Sequence, residues 1–181
     1  LGRIGKELAR MLTVFRTTTL YHDIVDMPKE LERELKVTRV GLDELLTRSD
    51  IVTLHVPLTK DTKHLIDAER LRKMKRGAYL INNARGPVVS EAALIDALKS
   101  GQLGGVALDV YEEEEGIFFE DHSGEVLQDD ELSRLLTFPN VLITAHQAFL
   151  TREALGEIAR VTVTNILRRS IGEAFLEGTT L

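Results

Sequence analysis

Two side chains in this sequence have the chemistry to handle a small carboxylic acid that exchanges a proton. Arg85 lies in Asn83-Ala84-Arg85-Gly86-Pro87, just after an apolar run. A guanidinium there can clamp a carboxylate through two parallel hydrogen bonds, although spacing alone equally allows a surface arginine in a Gly-Pro turn. His146 ends another apolar run and leads into Gln147-Ala148-Phe149. A histidine acting as general acid and base needs a carboxylate to orient its ring and balance its charge. Glu112, Glu113, Glu114 and Glu115 follow a neighbouring apolar run, and composition does not choose among them. His22, His64 and His122 have no comparable support and read as structural. With no cysteine, no H-E-x-x-H and no G-x-S-x-G, neither a thiolate metal site nor serine-hydrolase chemistry has a basis.

A second constellation involves glycine. Gly2-Arg3-Ile4-Gly5 opens a helical stretch and matches the later part of the G-x-G-x-x-G dinucleotide fingerprint. Gly2 would let the backbone approach a pyrophosphate, and Gly5 would let helix and strand pack closely. The phosphates would sit at the helix N-terminus, where free N–H groups and the helix dipole favour anions. Asp23 ends the next apolar segment, close to the distance of about 20 residues expected of the acid that binds a ribose 2′-hydroxyl. A carboxylate there repels a 2′-phosphate, so NAD is favoured over NADP.

The elements that must carry these residues alternate. Thr17 to Tyr21, Ile51 to Val56, Ala78 to Asn82, Val106 to Val110 and Val141 to Ala145 read as strands. The last four are near-continuously apolar, as a parallel sheet covered on both faces requires. Helical spacing marks residues 2–15, 28–36, 43–47, 67–74, 90–98 and 130–136, with Ser90 as a plausible N-cap. This alternation predicts α/β architecture, a doubly wound parallel sheet. Asp23, His55, Asn82, Asn83, Asp109 and His146 lie at or just past the C-terminal edges of strand segments, and in such sheets the carboxyl ends of the strands line the ligand crevice. Thr151 is expected to cap a long helix to about Ile171 bearing Leu155, Ile158, Ala159, Val163 and Ile166 on one face. The expected division is residues 1–150 for the nucleotide domain and 151–181 for a helix and tail belonging to a second domain.

Bulk properties set the outer limits. The 181 residues suffice for one domain with a real core, and 43% hydrophobic content argues against disorder. A net charge of −6 argues against a nucleic-acid face. No apolar run approaches the roughly 20 residues of a membrane-spanning helix. A cytoplasmic setting is compatible with this composition. The chain opens on Leu1 rather than Met and carries no signal-peptide pattern, so it is expected to be a piece of a longer protein.

These residues resemble the D-2-hydroxyacid dehydrogenases, most closely their fermentative NAD-dependent D-lactate branch. The resemblance runs from Leu1-Gly2-Arg3-Ile4-Gly5 through Leu54-His55-Val56-Pro57-Leu58-Thr59 and Asn82-Asn83-Ala84-Arg85-Gly86. It continues through Asp109-Val110-Tyr111-Glu112 to His146-Gln147-Ala148-Phe149. Phe118-Phe119-Glu120-Asp121 and Val126-Leu127-Gln128-Asp129-Asp130 look like the extended loop of the lactate enzymes. The resemblance implies that pyruvate is reduced reversibly to D-lactate. Arg85 would bind the substrate carboxylate, His146 would be the acid and base, and Glu114 would support His146. It implies NAD contacts at Gly2, Arg3, Ile4, Gly5, Asp23, Val56, Pro57, Thr62, Asn83, Ala84, Arg85 and Asp109. It also implies a first strand lying upstream of Leu1, a missing catalytic domain to which the last helix returns, and a homo-oligomer built through the cofactor domain. The expected partners are a small-molecule substrate, with no nucleic acid and no membrane. Asn83-Ala84 departs from the Thr-Ser common in the family and drops a hydroxyl. The alternatives are another member acting on phosphoglycerate, glyoxylate or an aromatic keto acid, or an NAD-sensing corepressor-like binding protein.

Overall fold

The computed structural model describes residues 1–122, 124 and 126–179; Ser123 and Glu125, within the expected lactate-type loop, lie outside the described residues, as do Thr180 and Leu181. Residues Leu1–Ala145 form one compact unit and His146–Leu181 a second.

In the first unit the elements run α1 (Arg3–Leu12), β1 (Thr19–Tyr21), α2 (Lys29–Leu35), β2 (Val37–Arg39), α3 (Leu42–Arg48) and β3 (Ile51–Leu54). They continue α4 (Ala68–Lys73), β4 (Ala78–Asn82), α5 (Glu91–Lys99), β5 (Leu103–Leu108), α6 (Asp130–Leu136) and β6 (Val141–Ile143). All pairings are parallel, in a sheet of order β3-β4-β5-β6 and a separate pair β1-β2. Central Leu80 of β4 and Leu46, Leu71, Leu94 and Leu135 of the flanking helices are fully buried in one cluster. Tyr21, Met27, Leu35 and Val37 form a second cluster with Ala9 of α1. Between the two sheets lies an open cleft lined by Gly2 and Gly5, by Thr19 to Asp23, and by Val52 to Val56.

The expected β4 and α6 coincide with the structure, and the other elements lie within a few residues of their expected ends. The strands are mostly shorter at their carboxyl ends: β3 stops at Leu54 and β6 at Ile143, so His55 and His146 lie in the loops beyond. β2 was not anticipated. It is three residues long and follows directly on Lys36, which ends α2 in the left-handed conformation at φ 52°. Ser90 takes the N-cap backbone position of α5, but its side chain makes no capping hydrogen bond. Caps are instead supplied by Asp67 to Arg70 N–H and by Asp129 to Leu132 N–H.

In the second unit α7 (Arg152–Ser170) begins as expected, with Thr151 Oγ1 accepting from Ala154 N–H at 3.1 Å. Asn165 ties the tail back onto this helix, accepting from Leu176 N–H at 2.9 Å and donating to Thr179 Oγ1 at 2.9 Å. The apolar stripe is exposed, from 42% at Leu155 to 63% at Ile166.

Candidate active site

Arg85 and Glu114 stand on neighbouring loops at the carboxyl ends of β4 and β5. Asn82, 1% exposed, builds the first loop. Its Oδ1 accepts from Ala84 N–H at 3.1 Å and its Nδ2 donates to the Arg85 carbonyl at 3.0 Å. The sequence marks Asn82 as a strand-end polar residue; the structure makes it the bracket that shapes the Asn83–Arg85 turn. This leaves the Arg85 side chain exposed, its Nη1 donating to the Ala84 carbonyl at 2.6 Å. A single 3₁₀ turn, Gly86–Val88, follows.

The second loop is packed directly onto this turn. A Cβ on Gly86 would lie 1.9 Å from the Tyr111 carbonyl oxygen and 2.4 Å from Glu112 N, so only glycine allows the two backbones to meet. Asp109 opens the loop, its N–H donating to the Asn82 carbonyl at 2.9 Å and its Oδ1 accepting from Thr144 Oγ1 at 2.5 Å. Among the four glutamates, Glu113 and Glu115 are exposed, whereas Glu112 and Glu114 are half-buried. Glu112 accepts from His64, whose Nε2 lies 3.0 Å from Oε1. Glu114 Oε2 accepts from Tyr111 N–H at 3.2 Å, and its carbonyl accepts from Ile117 and Phe118 N–H at 3.2 and 3.0 Å. Beyond them Tyr111 Oη donates to Asp129, at 2.7 and 2.8 Å from its two oxygens, fixing the far end of the connection. Burial first, then this hydrogen bond and the charges of Glu91, Asp129 and Glu131, push the Tyr111 hydroxyl far above its ordinary range, so it stays a donor.

His146 is the first residue of the second unit and takes a left-handed backbone at φ 50°. Histidine tolerates that region better than β-branched residues do. Gln147, which follows it, accepts from Leu150 N–H at 2.8 Å.

The residues expected to hold NAD fall around the cleft between the sheets and along the strand ends. Gly2 takes the N-cap position of α1, and a Cβ there would meet nothing within 4 Å, which leaves its backbone open to a phosphate. Gly5 is buried, and a Cβ there would come within 3.1 Å of Leu1 Cδ2. Arg3 and Ile4 are exposed on the first turn. Asp23 follows β1. Its Oδ1 accepts from Val25 N–H at 2.9 Å, and it lines the cleft beside Gly2. Val56 lines the same cleft. Pro57 and Thr62 belong to one turn, in which Thr62 Oγ1 donates to the Pro57 carbonyl at 2.6 Å and accepts from Thr59 N–H at 2.8 Å. His55 sits beside Val56 with its Nε2 3.0 Å from Thr53 Oγ1, and burial holds the imidazole below its ordinary pKa.

The fit to a dinucleotide can be judged from one orphan. Asn83 Oδ1 is buried without any hydrogen-bond partner among the described residues. Such an oxygen costs about 1–3 kcal/mol unless a donor arrives, and a carboxamide NH₂ at the strand ends would supply one. With the open backbone at Gly2 and the acid at Asp23, the residues present fit NAD along its length. The sequence gives His64 only a structural reading and gives Glu91 no role at the site. Nothing in Ser90-Glu91-Ala92 or Lys63-His64-Leu65 signals that either side chain reaches the loop of Glu112.

Fold and site together define a doubly wound, NAD-binding α/β domain with a guanidinium and a carboxylate at adjoining strand ends. The family described as D-isomer specific 2-hydroxyacid dehydrogenase, NAD binding domain, matches residues 1–148. The chain is 52% identical over 165 residues to 2-hydroxyacid dehydrogenase A of Aspergillus oryzae, covering 91% of this chain and 47% of that protein. It is 41% identical over 166 residues to the aromatic 2-oxoacid reductase of Clostridium sporogenes, covering 91% of this chain and 49% of that one. Among solved structures, a D-lactate dehydrogenase from Sporolactobacillus superposes with a TM-score of 0.87 at 44% identity, over 92% of this chain and 49% of that chain. The chain therefore belongs to the D-isomer specific 2-hydroxyacid dehydrogenases and comprises their NAD-binding domain. It spans about half the length of the relatives it matches.

Proposed function

We propose that the whole protein is an NAD-dependent dehydrogenase that interconverts pyruvate and D-lactate. The bound cofactor would supply the hydride exchange at the substrate's C2, from NADH in reduction and to NAD+ in oxidation. Arg85 binds the substrate carboxylate through its planar fork and draws electron density from the keto group. His146 delivers a proton to the keto oxygen in reduction and removes it from the hydroxyl in oxidation. Glu114 orients the imidazole and balances its charge as the proton moves. Asp23 takes the ribose hydroxyls, and Asn83, Ala84 and Asp109 face the nicotinamide end.

The observation that carries this reading is the interlock at Gly86. It delivers Arg85 and Glu114 from adjoining strand ends on two loops whose backbones touch, beside a buried acceptor in need of a donor. The resemblance of Phe118-Phe119-Glu120-Asp121 and Val126-Leu127-Gln128-Asp129-Asp130 to the extended loop of the lactate enzymes supports that branch over members that act on phosphoglycerate, glyoxylate or aromatic keto acids. An NAD-sensing corepressor would keep the same trio but show no turnover. The test is His146→Ala in the full-length protein. Turnover with pyruvate and NADH is expected to fall by about 10²–10⁴-fold, with NADH affinity little changed; unaltered turnover would remove His146 from its role. The protein is further proposed to work in the cytoplasm as a homodimer or homotetramer formed through this domain. Sedimentation of the full-length protein as a monomer would refute that assembly. Among the described residues, no helix is long and apolar enough to cross a membrane.

A further inference from the structure

The first turn of α5 holds a carboxylate that the mechanism above does not use. Glu91 is 6% exposed, and its Oε1 accepts from Glu112 N–H at 2.6 Å. We propose that Glu91 is a positioning residue: by gripping the backbone of Glu112 it fixes the loop that presents Glu114 next to the Arg85 turn. The inference rests on the catalytic role assigned to Glu114 above.

Three segments meet at this point. His64 N–H donates to the Pro87 carbonyl at 2.7 Å, Ile66 N–H to Val88 at 3.0 Å and Ser90 N–H to Ile66 at 3.0 Å, so residues 64–66 run alongside the Arg85 turn. From that side the His64 ring reaches the Glu112 carboxylate. From the other side Glu91 takes the Glu112 N–H, while the Gly86 backbone presses on the Tyr111–Glu112 peptide. Glu112 is thus held by main chain and side chain at once, two residues before Glu114. Tyr111 N–H then meets Glu114 Oε2 and closes the loop on itself.

Burial works against the charge of this carboxylate. Burial pushes its pKa up to about 7 against the Glu112 N–H that lowers it, with the carboxylates of Glu112, Glu131 and Asp129 adding to the rise. What Glu91 adds is an acceptor of fixed direction, carried on the first turn of α5 rather than on the loop itself.

The test compares Glu91→Ala, Glu91→Gln and Glu114→Gln in the full-length enzyme with pyruvate and NADH. Glu91→Ala is expected to lower kcat by about 10- to 100-fold with KM for NADH unchanged, since a misplacement of about 1 Å can cost about 10²-fold. Glu91→Gln keeps the acceptor and should restore kcat to within about threefold. The acid limb of the kcat profile in Glu91→Ala should move in the direction seen in Glu114→Gln, which a merely structural defect would not produce. Should Glu91→Ala fail to fold, Glu91→Asp retains the charge but withdraws the acceptor, and the same fall is expected. Wild-type kcat and profile in Glu91→Ala, with Glu114→Gln impaired, would overturn the proposal. If Glu114→Gln itself turns over normally, the role of Glu114 fails instead. Amide exchange at Glu112 then judges the grip: faster in Glu91→Ala than in Glu91→Gln upholds it, and equal rates overturn it.

Discussion

Gly86→Ala probes the joint between the two loops that carry the proposed chemistry. The added methyl carbon would sit 1.9 Å from the Tyr111 carbonyl oxygen, where ordinary contact begins at 3.4 Å, so the loops must part by about 1.5 Å. The atoms in the way are main chain, with no flexible end to swing aside. Overpacking of this kind costs about 1–3 kcal/mol of stability. The same displacement separates Arg85 from Glu114, and misplacement on that scale lowers turnover by about 10²-fold. The assay is kcat for NADH oxidation by pyruvate in the full-length protein, with urea unfolding for stability. Gly41→Ala is the control, because a Cβ there meets nothing within 4 Å. The expected result is a loss of kcat confined to Gly86→Ala, with NADH still bound at the cleft. Equal kcat in both variants would refute the claim that this contact sets the site.

Arg85→Lys should raise KM for pyruvate at least about tenfold, because a point charge does not reproduce a two-pronged clamp; an unchanged KM would count against Arg85 as the carboxylate binder. Asp23→Ala should narrow the preference for NAD over NADP, measured as the ratio of the two Kd values, and a constant ratio would dismiss Asp23 as the ribose acid. Glu91 gives a stability prediction with a definite sign. Its folded pKa of about 7 lies above the 4.5 of a free glutamate, so the folded state holds the extra proton. Stability should therefore fall as pH rises from 4.5 to about 7 and level off above, by up to about 3 kcal/mol from this group. Urea unfolding of Glu91→Gln should lack that part of the slope; parallel curves would contradict it.

Much of the frame is visible in the sequence because its signals are local. Ala78 to Asn82 is an apolar run bounded by polar residues, and it forms β4 at the same limits. The strand-end polar residues mark the crevice edge for the same reason. β2 escapes because Val37-Thr38-Arg39 is short and charged, and its pairing to β1 is a tertiary event. The roles of Asn82, His64 and Glu91 escape for a deeper reason. A glutamate in a helix's first turn is ordinary, and only the packing of α5 against the β5 loop turns Glu91 inward. The four consecutive glutamates show the limit most plainly. Spacing leaves them equivalent, whereas the fold exposes Glu113 and Glu115, gives Glu112 to His64, and leaves Glu114 closing the loop on Tyr111 N–H.

The most direct test of the proposed activity is the product formed by the full-length protein from pyruvate and NADH, resolved by chiral chromatography alongside a panel of larger keto acids. The account predicts stoichiometric D-lactate and a kcat/KM for pyruvate above that for the aromatic and phosphorylated substrates. L-lactate, no NADH oxidation, or a clear preference for an aromatic keto acid would contradict it.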